Sequence, residues 1–289
     1  MSAYKVFRAL IKLIKPKQTA LLVFTCIAGY LTIGWALNPL IFAIAVTSIF
    51  LAVSAATVFN MYFDADIDYK MQRTRHRPLP SGEISYNQAA IFGFVLLMAS
   101  IFIGVLISPL FLFVTLLGFF IDVVVYTLWL KRKSPLSIVV GGVAGGMPVI
   151  AGRVAAVGYI DLLAILLAIL VMAWIPTHIW NLVIFYDHDY RAADIPMLPI
   201  LIGNEKTMLI ILISNILTGV IIISLYLLGY FGMLYLLIVI VPTVIFVVGS
   251  LFSIAKKSKQ KAWTMFKLSS PLLFLVFLAV ILDSLLNLL

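Results

Sequence analysis

Asn60-Met-Tyr-Phe-Asp64-Ala-Asp66-Ile-Asp68-Tyr-Lys70-Met-Gln-Arg73-Thr-Arg75-His-Arg77-Pro78 is the stretch on which the reading of this chain turns. It sets three carboxylates and a run of cations between two long apolar segments. A carboxylate at a bilayer centre costs about 2.5–3.5 kcal/mol on insertion scales. The three must therefore lie at the membrane edge, in a watered cavity, or against cations. If the preceding helix runs on through the stretch, Asn60, Asp64 and Asp68 recur every fourth residue and stack on one face. Like charges stacked in this way repel one another. A divalent cation reverses that sign, and Mg²⁺ takes oxygen ligands, often one or two carboxylates, completing its shell with water and substrate phosphates. Asp66 points off the shared face. The alternative for all three acids is a solvated loop in which they pair with their own arginines.

The surroundings favour the membrane edge. Of 289 residues, 64% are hydrophobic and 11% charged, with a mean hydropathy of +1.19. That is the composition of a multi-pass membrane protein, since no soluble core hides so much apolar surface. The formal charge of +9 sits in short segments between apolar runs. It points to anionic lipid headgroups and not to nucleic acid. The single Cys26 lies inside the first apolar run, so there is no disulfide framework. The first run follows five cations and is itself followed by many spans, so it reads as a retained helix and not a cleaved leader.

The fold expected is an all-α polytopic membrane protein, one transmembrane unit over 1–289 with nine helices around a central cavity. Residues 1–18 form an amphipathic lead-in segment on the cytoplasmic surface, ended or kinked by Pro16. Spans follow at about 19–36, 40–63, 87–107, 109–130, 136–157, 160–184, 207–229, 231–254 and 268–288, each near the length a bilayer requires. With the N-terminus inside, the inner segments hold 19 of the 20 Lys and Arg, and only Arg153 falls outside. This predicts a cytoplasmic N-terminus and an external C-terminus. The acid-rich clusters end spans two and six, which suggests two parallel four-helix units in tandem plus a ninth helix. The glycines of Gly141-Gly142-Val-Ala-Gly145-Gly146 read as close helix packing. Pro148, Pro176 and Pro242 read as kinks.

The second cluster runs from His178 through Asp187, Asp189, Arg191 and Asp194. Asp187 and Asp189, set against Asp64 and Asp68, would make a site rich in oxygen ligands for a diphosphate carried on Mg²⁺. Arg73, Arg75, Arg77, Lys131, Arg132, Lys133 and Arg191 are the cations available to its phosphate oxygens. A metal-bound diphosphate on an allylic carbon leaves readily, and apolar and aromatic walls keep water from the resulting cation. His178, inside the sixth span, is a candidate base, proton relay or contact to a second substrate. The competing reading is a His bonded only to a neighbouring backbone. Asp122, in the fourth span, lines the cavity or bonds Tyr126. Asp283 reads as interfacial.

The pattern Asn60-xxx-Asp64-xxx-Asp68 resembles the first aspartate motif of the UbiA-type intramembrane prenyltransferases. Three strings resemble the branch of that superfamily that farnesylates heme. They are Met71-Gln-Arg73-Thr-Arg75-His-Arg77-Pro78-Leu79, Tyr126-Thr-Leu-Trp-Leu-Lys131-Arg132, and Asp189-Tyr190-Arg-Ala-Ala-Asp194-Ile-Pro196-Met-Leu-Pro199. The resemblance implies nine helices, Mg²⁺ and farnesyl diphosphate. It also implies heme B as acceptor, with a hydroxyethylfarnesyl group formed at a vinyl and water added. Membrane lipids and a downstream heme-modifying enzyme are its implied partners. On it, Asn60, Asp64 and Asp68 bind Mg²⁺–diphosphate, and Asp189 is the best match to the second aspartate motif, with Asp187 and Asp194 left without an assigned role. Arg73, Arg77, Lys131 and Arg132 hold phosphate, and His178 faces heme. Two departures stand out. The family's Pro-His pair is interrupted here as Pro176-Thr-His178, and the second aspartate motif lacks four-residue spacing. A quinone-precursor or glyceryl-lipid acceptor is the nearest rival reading, and an ion-coupled transporter is a more distant one.

Overall fold

Residues 3–286 are described by a computed structural model. Among them the regular structure is helical throughout. The elements are α1 (Ala3–Leu13), α2 (Pro16–Leu31), α3 (Pro39–Phe63), α4 (Ala65–Lys70), α5 (Tyr86–Gly104), α6 (Pro109–Leu130) and α7 (Ser137–Val157). The chain continues with α8 (Leu162–Phe185), α9 (Asp187–Ala192), α10 (Leu198–Ile202), α11 (Asn204–Leu227), α12 (Met233–Lys256) and α13 (Lys259–Leu286). Eight of these are long and apolar enough to cross a bilayer, and the 16-residue α2 is the ninth long helix. The protein is an integral multi-pass membrane protein.

Helix starts follow local chemistry. Asn38 accepts from the N–H groups of Leu40 and Ile41 ahead of Pro39, and Ser108 does the same for Phe111 ahead of Pro109. Ser85 and Gln88 form a reciprocal capping box at α5. Several span limits differ from the hydropathy reading. The first ends near 31, short of 36, and the third ends at Gly104, short of 107. The ninth begins at Lys259, not 268. Lys259, Lys261 and Lys267 halt an apolar window without halting a helix, because a lysine stem lies along the helix while its ammonium reaches water. Pro148, Pro176 and Pro242 are carried inside α7, α8 and α12, which run through them.

The helices pack as a ring. α3 lies against α2 and α5, α7 against α2, α6 and α8, and α11 between α8 and α12. The ring closes where α13 packs on both α8 and α2. There Phe24 stacks on Phe274 at 4.4 Å, and Trp35 Nε1 donates to the Leu285 carbonyl at 2.9 Å. The glycine run does pack helices: Gly146 faces the Ala168 backbone on α8, and Gly141 lets the Tyr126 ring lie against α7. The tightest approach lies elsewhere. A Cβ at Gly29 would meet the Val149 carbonyl oxygen, and one at Gly152 the Cys26 carbonyl oxygen, so α2 and α7 meet backbone to backbone.

At the end opposite the acidic turns, Arg153 Nη2 pairs with Asp161 Oδ2 at 2.8 Å and Nη1 donates to Thr32 Oγ1 at 2.8 Å. This lone cation thus joins α2, α7 and the start of α8. Asp161 also caps α8 by accepting from Ala164 N–H at 2.9 Å. Burial alone would raise its pKa, but Arg153 and the Ala164 N–H outweigh burial and hold it below the ordinary carboxylate range. A depressed folded-state pKa adds stability that is present above the unfolded value and lost as pH falls through the folded one. Asp161→Asn is therefore expected to cost about 1–2 kcal/mol at neutral pH. Detergent melting curves should show wild type and variant converging below about pH 4. Asp283, read from sequence as interfacial, lies near the end of α13, is buried, and accepts from the N–H groups of Gly232 at 2.7 Å and Tyr235 at 3.1 Å. It caps α12 from α13.

Candidate active site

The decisive stretch forms at the junction of α3 and α4. α3 ends at Phe63, and Asp64 is a bent link, φ −94° and ψ 3°, before α4 begins. Four-residue bonding survives the break: Asp64 N–H donates to the Asn60 carbonyl at 3.0 Å and Asp68 N–H to the Asp64 carbonyl at 2.8 Å. The stacking of Asn60, Asp64 and Asp68 is therefore real. The compact turns after it, anchored by Thr74 and Arg75 N–H on the Met71 carbonyl, bring Arg77 back over Asp68. Arg77 Nη1 lies 2.8 and 2.7 Å from the two Asp68 oxygens.

A cation meets each acid of the stretch. Lys131 Nζ pairs with Asp64 Oδ2, Arg77 with Asp68, and Arg132 with both oxygens of Asp66 while also donating to the Phe63 carbonyl. Asp66 thereby gains a role that the sequence left open, as an exposed tie between α4 and the α6–α7 turn. The Arg132 hydrogen bond holds its pKa below the usual range. Asp64 is 4% and Asp68 3% exposed, with the chain's own cations laid on them. Burial would lower the pKa of Lys131, yet Asp64 and Tyr126 together hold it above the ordinary lysine range.

α6 brings Lys131 to this place by an unusual route. From Ile121 to Leu130 its bonding is of the i→i+5 type, and Lys131 N–H reaches the Tyr126 carbonyl at 2.8 Å. Such wide turns recur at functional sites. The winding aligns Asp122 with Thr127 and Tyr126 with Lys131. Asn60 Nδ2 donates to Asp122 Oδ2 at 2.9 Å, so Asp122 bonds Asn60 and not Tyr126. The Thr127 hydroxyl lies 2.8 Å from Asn60 Oδ1 and 2.9 Å from the Asp122 carbonyl. Asp122 and Thr127 are thus site residues whose roles sequence reasoning missed. The signal that could have exposed them is a polar pair five apart in an otherwise apolar span.

The second cluster meets the first through its turn. Asp189 Oδ2 accepts the Arg73 backbone N–H at 3.0 Å, and the Arg73 guanidinium lies 5.5 Å above the Tyr186 ring. Ile67 and Met71 share a core with Tyr190, Ala193 and Ile195. Asp187 is engaged elsewhere, with Lys259 at 2.8 Å, and Arg191 is exposed. His178 sits inside α8, about 10 Å by helical rise from the helix's end at Phe185. Its Nδ1 is 2.7 Å from Ser269 Oγ, whose hydroxyl donates to the Phe266 carbonyl at 2.6 Å. The Ser269 oxygen therefore accepts Nδ1–H, leaving the Nε2 lone pair free. Trp174 stacks on one side of the ring and Phe266 lies tilted on the other, at 4.8 and 4.6 Å.

Among the described residues no group of three His, Cys, Asp or Glu side chains stands ready-made around one point. The donor set nevertheless fits Mg²⁺. Asp64 Oδ1 is buried and lacks a hydrogen-bond partner. An orphaned buried carboxylate oxygen is costly, and a hard cation is the partner it suits.

Residues 13–280 match the model of the UbiA prenyltransferase family. The chain belongs to that family. This UbiA prenyltransferase is 41% identical to the protoheme IX farnesyltransferase of Korarchaeum cryptofilum, over 97% of this chain and 95% of that protein. It is 40% identical to the protoheme IX farnesyltransferase of Archaeoglobus fulgidus, over 95% and 97%. Among solved structures, a digeranylgeranylglyceryl phosphate synthase matches with a TM-score of 0.79 at 21% identity, covering 96% of this chain and 98% of that one. A UbiA homolog from Archaeoglobus fulgidus bound to GPP and Mg²⁺ matches at 0.69 and 16%, covering 94% and 99%. At those identities the structural matches establish the family's helical fold. They do not distinguish acceptors.

Proposed function

We propose that this prenyltransferase transfers the farnesyl group of farnesyl diphosphate to a vinyl group of heme B, giving heme O. The observation that carries the acceptor is kinship at about two residues in five, along almost the whole chain, to relatives named protoheme IX farnesyltransferase. A glyceryl-lipid or quinone-precursor acceptor has only fold similarity behind it. The acidic end faces the cytoplasm on this reading, because 19 of 20 Lys and Arg lie on that side.

Asn60, Asp64 and Asp68, with Asp187 and Asp189 as a second set, would hold Mg²⁺. When bound, the metal neutralises diphosphate and stabilises the charge it carries away. The chain's own groups do the rest. Lys131 and Arg77, now laid on Asp64 and Asp68, move onto phosphate oxygens and free both carboxylates. The Thr127 hydroxyl has the Asp122 carbonyl as a second acceptor, so the Asn60 oxygen can be released without stranding a donor. Arg73 and Arg191 supply further charge at the mouth. The allylic C–O bond breaks with its electron pair leaving on diphosphate. The heme vinyl carbon bonds to the allylic carbon, water adds at the neighbouring carbon, and one proton is lost. His178, with its free Nε2 among aromatic rings, faces the acceptor.

Purified protein given farnesyl diphosphate, heme B and Mg²⁺ should yield heme O and free diphosphate in equal amounts. Chelation should stop both, and added Mg²⁺ should restore them. Diphosphate release that depends on a quinone precursor or glyceryl phosphate instead of heme would move the acceptor to that class. Neither product in active membranes would sink the reading and leave ion transport.

A further inference from the structure

Lys15 stands at the break between α1 and α2 with its backbone in the left-handed region, φ 45° and ψ 68°. That conformation is unfavourable for a non-glycine residue and persists only where surroundings enforce it. The following Pro16 also disfavours a helical conformation at Lys15. Bonds on both sides hold the kink. Lys15 N–H donates to the Lys12 carbonyl at 3.2 Å, and the Lys15 carbonyl accepts from Gln18 and Thr19 N–H at 3.0 and 3.1 Å. The Thr19 hydroxyl donates to the Ile14 carbonyl at 2.5 Å. Just before it, Ala9 and Leu13 are fully buried in a core with Met61, Ala65 and Leu79. Residue 15 is thereby fixed beside the Asn60–Asp68 turn.

Its ammonium lies in the field of five site residues. Arg77 and Lys131 repel it, while Asp64, Asp68 and Asp122 attract it. Those attractions are already used. Asp64 is held by Lys131, Asp68 by Arg77, and Asp122 by Asn60. Among the described residues, no carboxylate lies within ion-pair distance of Lys15, although Lys12 three residues earlier pairs with Glu83 at 2.7 Å. Burial, then the two neighbouring cations, lower its pKa to about 8. Lys15 is a partly buried cation on a kink packed beside the acidic turn, with the nearby acids already paired, so a phosphate is the partner its ammonium suits.

We propose that Lys15 is a further substrate-binding residue, its ammonium taking a phosphate oxygen of the prenyl diphosphate opposite Lys131 and Arg77. The proposal rests on the prenyl diphosphate reading given above. It assigns the strained kink a purpose, since a continuous α1–α2 helix would carry residue 15 on a different heading.

The test uses the full chain in detergent with Mg²⁺ and inorganic diphosphate as the probe, followed by calorimetry, beside farnesyl transfer kinetics. Loss of a charge-assisted contact corresponds to about tenfold or more in affinity. Lys15→Gln should therefore weaken diphosphate binding and raise KM for farnesyl diphosphate by about that factor. KM for heme B and the melting temperature should stay unchanged, and Lys15→Arg should restore most of the affinity. Wild-type affinity in Lys15→Gln overturns the proposal alone. Equal loss in Lys15→Gln and Lys15→Arg, with lowered melting temperatures, makes the residue a structural hinge and also overturns it. Failure of the wild type to bind Mg²⁺–diphosphate overturns the underlying reading and the proposal with it.

Discussion

Asp64→Asn is expected to lower turnover by about 10³-fold or more, the scale of losing a preorganised electrostatic contact at developing charge. The substitution keeps the shape of the side chain and its place at the α3–α4 link, and removes only the charge. Two consequences should separate cleanly. The orphaned Oδ1 loses the anionic character that suits a hard cation. Lys131, only 15% exposed, loses its counterion, and breaking a buried pair costs about 3–5 kcal/mol. A second change, Lys131→Met, should recover stability by removing the stranded charge, yet leave turnover at the level of Asp64→Asn or lower. Detergent melting together with steady-state heme O formation measures both. A single variant with near-normal turnover removes Asp64 from the metal set. Asp68→Asn, with Arg77 stranded in its turn, should behave in the same way.

Gly152→Ala is the second substitution expected to have a large effect, this time on the fold. The added Cβ meets the carbonyl oxygen of Cys26, with the carbonyl carbon at 2.8 Å and Cα at 3.1 Å. These are backbone atoms of a packed helix and have no rotamer in which to move aside. α2 must shift away from α7, and overpacking of this kind costs about 1–3 kcal/mol. Gly219→Ala is the control. Its Cβ would meet only the methyl tip of Thr243, at 3.0 Å. Melting in detergent should drop clearly for Gly152→Ala and little for Gly219→Ala. Because α2 also carries Lys15 at its start, the first variant should raise KM for farnesyl diphosphate as well.

The membrane fold was legible in the sequence because a hydrocarbon solvent leaves helices few alternatives. Long apolar runs named the spans, and proline or asparagine marked several starts. The limits were less legible where charged helix continues past the apolar window, as at Lys259. The stack of Asn60, Asp64 and Asp68 could be read directly, since four-residue spacing is local. What was hidden depends on contacts distant in sequence. Nothing near Asp122 announces that it bonds Asn60, 62 residues away. Nothing near Gly29 or Gly152 announces that two backbones meet there, while the conspicuous Gly141–Gly146 run drew the attention. Asp66, whose role four-residue spacing left open, is a tie for Arg132, and Asp283, placed at the interface by its position alone, is a buried cap of α12.

The wide winding of residues 121–130 sets a limit on how far this enzyme can be made more robust. An i→i+5 helix is the less comfortable way to wind an apolar segment, and deleting one residue there would let ordinary helix form throughout. The same repair would rotate Asp122 and Thr127 off Asn60 and turn Lys131 away from Asp64. Lys131, proposed above to hold phosphate, is thus placed by a segment whose winding trades stability for position. Variants selected only for thermal endurance should accumulate in this run at the expense of catalysis.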